Sequence, residues 1–70
     1  MQIVVNGKKE EVGEGATIAV LLKEKKIMME MVAVELNGAI LPRSSYAETS
    51  LKEGDRAEFL YYMGGGNLNE

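Results

Sequence analysis

Seventy residues hold one domain at most, close to the lower size limit for a chain that folds without disulfides or metals. The absence of cysteine and histidine excludes disulfides, a thiolate nucleophile, the usual metal-ligand sets and the commonest general base. A net charge of −3 and a pI near 4.9 argue against nucleic-acid partners, and no apolar run has the length of a membrane span or signal-peptide core. The expectation is a small cytoplasmic domain that binds neither nucleic acid nor membrane and carries little catalytic equipment.

Met1 to Asn6 is β-branched and apolar and predicts a strand, with Met1, Ile3 and Val5 on one face and Gln2, Val4 and Asn6 on the other. Asn6-Gly7 then predicts a tight hairpin, since a type I′ turn needs positive φ at both central residues. Lys8 to Val12 is the returning strand, and its charges suit an exposed edge. After Gly13-Glu14-Gly15, Thr17 is placed to cap a short amphipathic helix over Ile18 to Lys25. Ile18, Leu21 and Leu22 share its apolar face, which needs a sheet to cover it. Ile27, Met28, Met29 and Met31 follow, and the methionines are expected as gap-filling core.

Val32, Val34 and Leu36 alternate with Ala33, Glu35 and Asn37, the pattern of a half-buried strand. Asn37-Gly38 repeats the hairpin signal, and Ala39 to Leu41 pairs back briefly before Pro42. Arg43 to Ser50 reads as irregular, anchored by Tyr46 and Leu51, and Lys52 to Asp55 as a turn. Arg56 to Met63 is the final strand. Ala57, Phe59 and Tyr61 point one way and Glu58, Leu60 and Tyr62 the other, so the Phe59 face is assigned to the core. Leu60 and Tyr62, with Val4, are then apolar groups on the open side of the sheet and form a candidate docking patch.

Beyond this strand stand Gly64, Gly65 and Gly66, followed by Asn67-Leu68-Asn69-Glu70. A glycine run has no side-chain chemistry and is costly to order, so it does not suit a core. It suits a thin thread that enters a narrow slot in another protein, or, more plainly, a flexible tail. The division expected is a domain over residues 1–63 and a glycine-rich tail over 64–70. Carboxylates at Glu35, Glu58 and Asp55 fit solvated positions and show no spacing for acid–base work.

The element order resembles the ubiquitin-like β-grasp, an α+β fold with a mixed sheet of four to five strands and one main helix on one face. The sequence most resembles the thiamine-biosynthesis sulfur carriers, the ThiS family. The resemblance lies in Ile3-Val4-Val5-Asn6-Gly7, Thr17-Ile18 with Leu21-Leu22, and Val34-Glu35-Leu36-Asn37-Gly38. It continues through Pro42-Arg43, Tyr46, Leu51, Gly54-Asp55 and the terminal Gly64-Gly65-Gly66.

This resemblance implies a carrier rather than an enzyme. Gly66 would bear the sulfur after its carboxylate is adenylated by an E1-like adenylyltransferase, which uses ATP; the carrier itself binds no cofactor or metal. A cysteine desulfurase or rhodanese would donate the sulfur, and thiazole synthase would take it. Gly64 and Gly65 would form the thread, with Leu60, Tyr62 and Val4 docking the partners. One feature departs from the family pattern, whose active form ends at its last glycine. Here residues 67–70 follow, which implies a precursor trimmed by a processing protease; residues added for expression, or a lost carrier role, are the alternatives. Other functions within reach are the small subunit of molybdopterin synthase, another sulfur-metabolite carrier, or a non-covalent ubiquitin-like interaction module.

Overall fold

Two tight turns shape the outer strands of the sheet. In the computed structural model, which describes residues 1–62, Asn6 and Gly7 have φ of 49° and 82°, and Asn37 and Gly38 of 52° and 88°. Both Asn-Gly pairs therefore occupy the left-handed region that a type I′ turn demands. The first joins β1 (Gln2–Val5) to β2 (Lys8–Glu11), and the second joins β3 (Val32–Leu36) to β4 (Ala39–Leu41). The last strand, β5 (Arg56–Tyr61), lies between these hairpins, parallel to β1 and antiparallel to β3. The result is a mixed five-stranded sheet in the order β2-β1-β5-β3-β4, a ubiquitin-like β-grasp as expected.

One helix, α1 (Ile18–Glu24), covers the sheet, and its start is built as the sequence predicts. The Thr17 hydroxyl accepts from the Val20 N–H at 3.2 Å, satisfying one free donor of the first turn. The N–H groups of Ile18 and Ala19 donate to the carbonyls of Thr49 and Tyr46, so the irregular segment after β4 closes the helix end. Tyr46 and Leu51 hold that segment by burying their side chains in the core. Ile18, Leu21 and Leu22 meet Ile3, Val5, Val34 and Phe59 beneath them. At the far end Lys25 bonds Glu10 of β2 at 2.7 Å and pins the helix to the sheet edge. No helix among the described residues is long and apolar enough to cross a membrane.

Two expectations fail. Met28, Met29 and Met31 are exposed rather than core: a short 3₁₀ turn over Met29–Met31 carries them past the helix and onto the surface. Tyr61 shares the core face with Phe59 yet is 53% exposed. The reason lies in β1, which pairs with β5 only at Arg56 and Ala57 and then turns at Asn6. Beyond Phe59, strand β5 has a neighbour on its β3 side alone, and the Tyr61 ring has no cover. Met63 and the 64–70 tail lie outside the described residues.

Asn6 has a second role that no hairpin rule predicts. Its side-chain oxygen accepts from the Phe59 N–H at 2.8 Å, while its own N–H donates to the Ala57 carbonyl at 3.0 Å. It thus carries the β1–β5 pairing one step past the end of β1. Asn6→Ala should cost about 1–3 kcal/mol, combining a strained left-handed backbone with an unsatisfied N–H. Asn6→Gly keeps the turn and loses only the acceptor, so urea titration should place it between wild type and Ala. Equal stability of all three chains would remove this bond from the account of the fold.

Candidate functional site

Strand β5 sets the site because it leads directly to the glycine run. Alternation along it turns Arg56, Glu58 and Leu60 onto the face away from the helix, where nothing covers them. Leu60 stands opposite the small Ala33 and is 47% exposed. One step further the Tyr62 N–H donates to the Met31 carbonyl at 3.0 Å, so pairing with the β3 side continues to the last described residue. Tyr62 is exposed. Leu60 and Tyr62 therefore lie next to each other on the open face, at the end from which the chain continues toward Gly66.

Val4 does not join them. Its register partner on β5 is Arg56, four residues before Leu60, or about 13 Å along a strand. It is half-buried at the other end of the same face, beside Lys9 of β2. Only the register of a parallel pair could have revealed this, and no local pattern encodes that register.

Between the two ends the face is charged. Glu58 stands directly opposite Glu35, and Ile40 flanks Glu35 on the edge strand. These two carboxylates, with Asn37, Gly38 and Arg56, line a shallow depression. Asn37 and Asp55 have structural work beside it. The Asn37 side chain accepts from the Arg56 N–H at 2.9 Å and donates to Asp55 at 3.0 Å, while Asp55 also accepts from the Lys52 N–H at 2.8 Å. These bonds tie the second hairpin to the start of β5. Arg43, exposed in the short 3₁₀ turn Arg43–Ser45, donates through Nε to the Met29 carbonyl at 3.0 Å.

The ThiS family sequence model matches residues 1–66 of this chain. The chain belongs to the ThiS family. The match ends on Gly66, the third residue of the glycine run, and leaves only Asn67 to Glu70 outside. The chain is also similar to the thiamine biosynthesis protein (ThiS) from Geobacter metallireducens. Its crystal structure superposes with a TM-score of 0.81 at 45% identity, over 94% of this chain and 100% of that one. Its NMR solution structure gives a TM-score of 0.78 at 44% identity, covering 100% of this chain and 94% of that one. A thiazole synthase from Paramagnetospirillum magneticum is 37% identical over 67 residues, 96% of this chain. This ThiS-family chain spans only about a fifth, 21%, of the length of that relative.

Proposed function

We propose that this chain is the sulfur carrier for formation of the thiamine thiazole ring, with Gly66 as the residue that bears the sulfur. One observation carries the reading: the family match runs through the whole domain and stops at Gly66. In this reading the chain performs no catalysis of its own. An α-carboxylate is ionised at neutral pH, with a pKa of about 3.5, and is a poor electrophile. An E1-like adenylyltransferase attaches AMP from ATP to the Gly66 carboxylate, releasing pyrophosphate, and so creates a leaving group. The terminal sulfur of a cysteine persulfide on a desulfurase or rhodanese-type donor attacks the carbonyl and displaces AMP, giving an acyl disulfide with the donor. A thiol then reduces that disulfide, leaving the thiocarboxylate on Gly66 and joining the donor cysteine in a new disulfide. Gly64 and Gly65 supply a thread without Cβ atoms that fits a narrow slot.

The acceptor in this reading is thiazole synthase. Support comes from the relative of that name, which includes a segment like this chain within a longer polypeptide. Leu60 and Tyr62 dock the partners at the tail end of the open face, and Val4 contributes at its far end. Because Gly66 is followed by Asn67, its carbonyl is an amide until residues 67–70 are removed by a protease. Adenylation requires that cut.

The test is the intact mass of the protein isolated from its native host, with and without its biosynthetic neighbours. A species ending at Gly66 and heavier by the exchange of oxygen for sulfur is the expected result. A mass that stays at the full chain through Glu70 under every condition would end the carrier reading. A non-covalent ubiquitin-like binding module would then be the better account.

A further inference from the structure

Asparagine is a chemically labile residue, and it is least protected where glycine follows, because no Cβ shields the next backbone nitrogen. This chain has two such pairs, Asn6-Gly7 and Asn37-Gly38, and the fold makes them a matched comparison. Both fill two-residue hairpin turns with nearly the same φ values, and both asparagines are exposed. A Cβ placed at Gly7 or Gly38 would meet nothing within 4 Å, so the space beside each turn is open to water. Each asparagine donates its backbone N–H to a β5 carbonyl, Asn6 to Ala57 at 3.0 Å and Asn37 to Arg56 at 2.7 Å. Each side-chain oxygen accepts a β5 N–H, from Phe59 at 2.8 Å and from Arg56 at 2.9 Å. The two carboxamides differ at nitrogen. Nδ2 of Asn37 donates to Asp55 Oδ1 at 3.0 Å, whereas Nδ2 of Asn6 has no acceptor among the described residues.

We propose that Asn6 is a site of spontaneous deamidation in the folded chain, and that Asp55 protects Asn37 from the same reaction. The reaction begins when the Gly7 nitrogen loses its proton to water or hydroxide and attacks Asn6 Cγ. The new N–Cγ bond closes a succinimide ring, the Cγ–Nδ2 bond breaks, and the nitrogen leaves as ammonia. Water then opens the ring. Addition at Cγ gives aspartate at position 6, and addition at the backbone carbonyl gives isoaspartate. One water is consumed and one ammonia released, with no oxidant or other reactant. The Phe59 N–H assists by drawing electron density from Cγ while the departing nitrogen stays free. At Asn37 that nitrogen is held by a carboxylate, and turning the amide toward Gly38 breaks both side-chain bonds.

The two products differ in consequence, whatever the chain carries on its tail. Aspartate tolerates the left-handed backbone and keeps an oxygen for the Phe59 N–H. Isoaspartate puts a methylene into the main chain within the turn and takes the carboxylate away from Phe59. The first hairpin then loses its tie to β5.

The test is incubation of the full chain just above neutral pH, with peptide mapping by mass at intervals. A deamidated peptide is heavier by the exchange of NH for O, and isoaspartate is counted by methyl transfer from an isoaspartyl methyltransferase. Asn6 should react about tenfold faster than Asn37, the effect of one hydrogen bond to a charged group at an exposed site. Asp55→Ala should raise the Asn37 rate toward that of Asn6 and leave Asn6 unchanged, so Asn6 reports in the same molecule on any general loosening. Asp55→Asn keeps an acceptor oxygen, and its ratio of Asn37 to Asn6 rates should fall between wild type and Ala. In urea beyond the unfolding transition the two wild-type rates should converge. Equal rates in the folded chain, or a faster Asn37, would overturn the proposal. A difference that persists in urea would also overturn it, by tracing the effect to the neighbours in sequence. A ratio that stays the same across all three chains would remove Asp55 as the protecting group.

Discussion

Phe59→Ala should destabilise the domain by about 3–5 kcal/mol, the usual cost of emptying a buried aromatic site. Phe59 is 5% exposed, pairs with Val34 on β3 and belongs to the core cluster that the helix residues Leu21 and Leu22 complete. Its backbone N–H is the one held by Asn6, so the residue is fixed from both its main chain and its ring. Collapse around a vacated site is hindered by the sheet, whose strands on either side are already bonded. At about 0.1 kcal/mol per residue, a chain of this size holds roughly 7 kcal/mol in total. The variant should therefore retain only about 2–4 kcal/mol of it, with a urea midpoint shifted far below wild type. Glu58→Ala, one residue earlier on the open face, should change stability by no more than about 0.5 kcal/mol. A loss under about 1 kcal/mol at Phe59 would mean that the two faces of β5 had been interchanged.

The contrast between these neighbours was legible in the sequence because burial of one sheet face imposes a period of two. The same rule misled at Tyr61, which has the parity of Phe59 and no cover. Parity states which face a side chain takes; whether that face is covered depends on where the adjacent strand stops, and β1 stops at Asn6. The methionines misled for a related reason. Their composition says core, but their place on a tight turn past the helix end puts them outside. Hairpins and the helix start were readable from Asn6-Gly7, Asn37-Gly38 and Thr17, because each depends on residues adjacent in sequence. The second roles of Asn6 and Asn37 were not. Both reach strand β5, at Phe59 and Arg56 respectively, and such long-range bonds leave no local mark. At the candidate site, Leu60 and Tyr62 fell together as a strand pattern allows, while the distance to Val4 followed from the parallel register alone.

A chain that ends at Gly66 should be adenylated by the activating enzyme, and the chain that continues to Glu70 should not. The difference is expected to be one of kind, since the two forms differ at the reacting atom itself. A free Gly66 carboxylate has an oxygen that can attack phosphorus and displace pyrophosphate. In the longer chain that oxygen is replaced by the Asn67 amide nitrogen, whose lone pair is delocalised into the carbonyl. Nothing in the described fold distinguishes the two chains, because the core and both hairpins lie within residues 1–62. Their melting curves should coincide, which keeps a difference in reactivity from being read as a difference in folding. ATP–pyrophosphate exchange with the purified enzyme is the direct assay: exchange with the shorter chain, none with the longer. Adding host extract to the longer chain should restore exchange as residues 67–70 are removed. Exchange by the intact longer chain, its mass unchanged, would show that activation does not use the Gly66 carboxylate. Silence from both chains would count against the sulfur-carrier reading and leave the Leu60–Tyr62 face as a site of non-covalent binding.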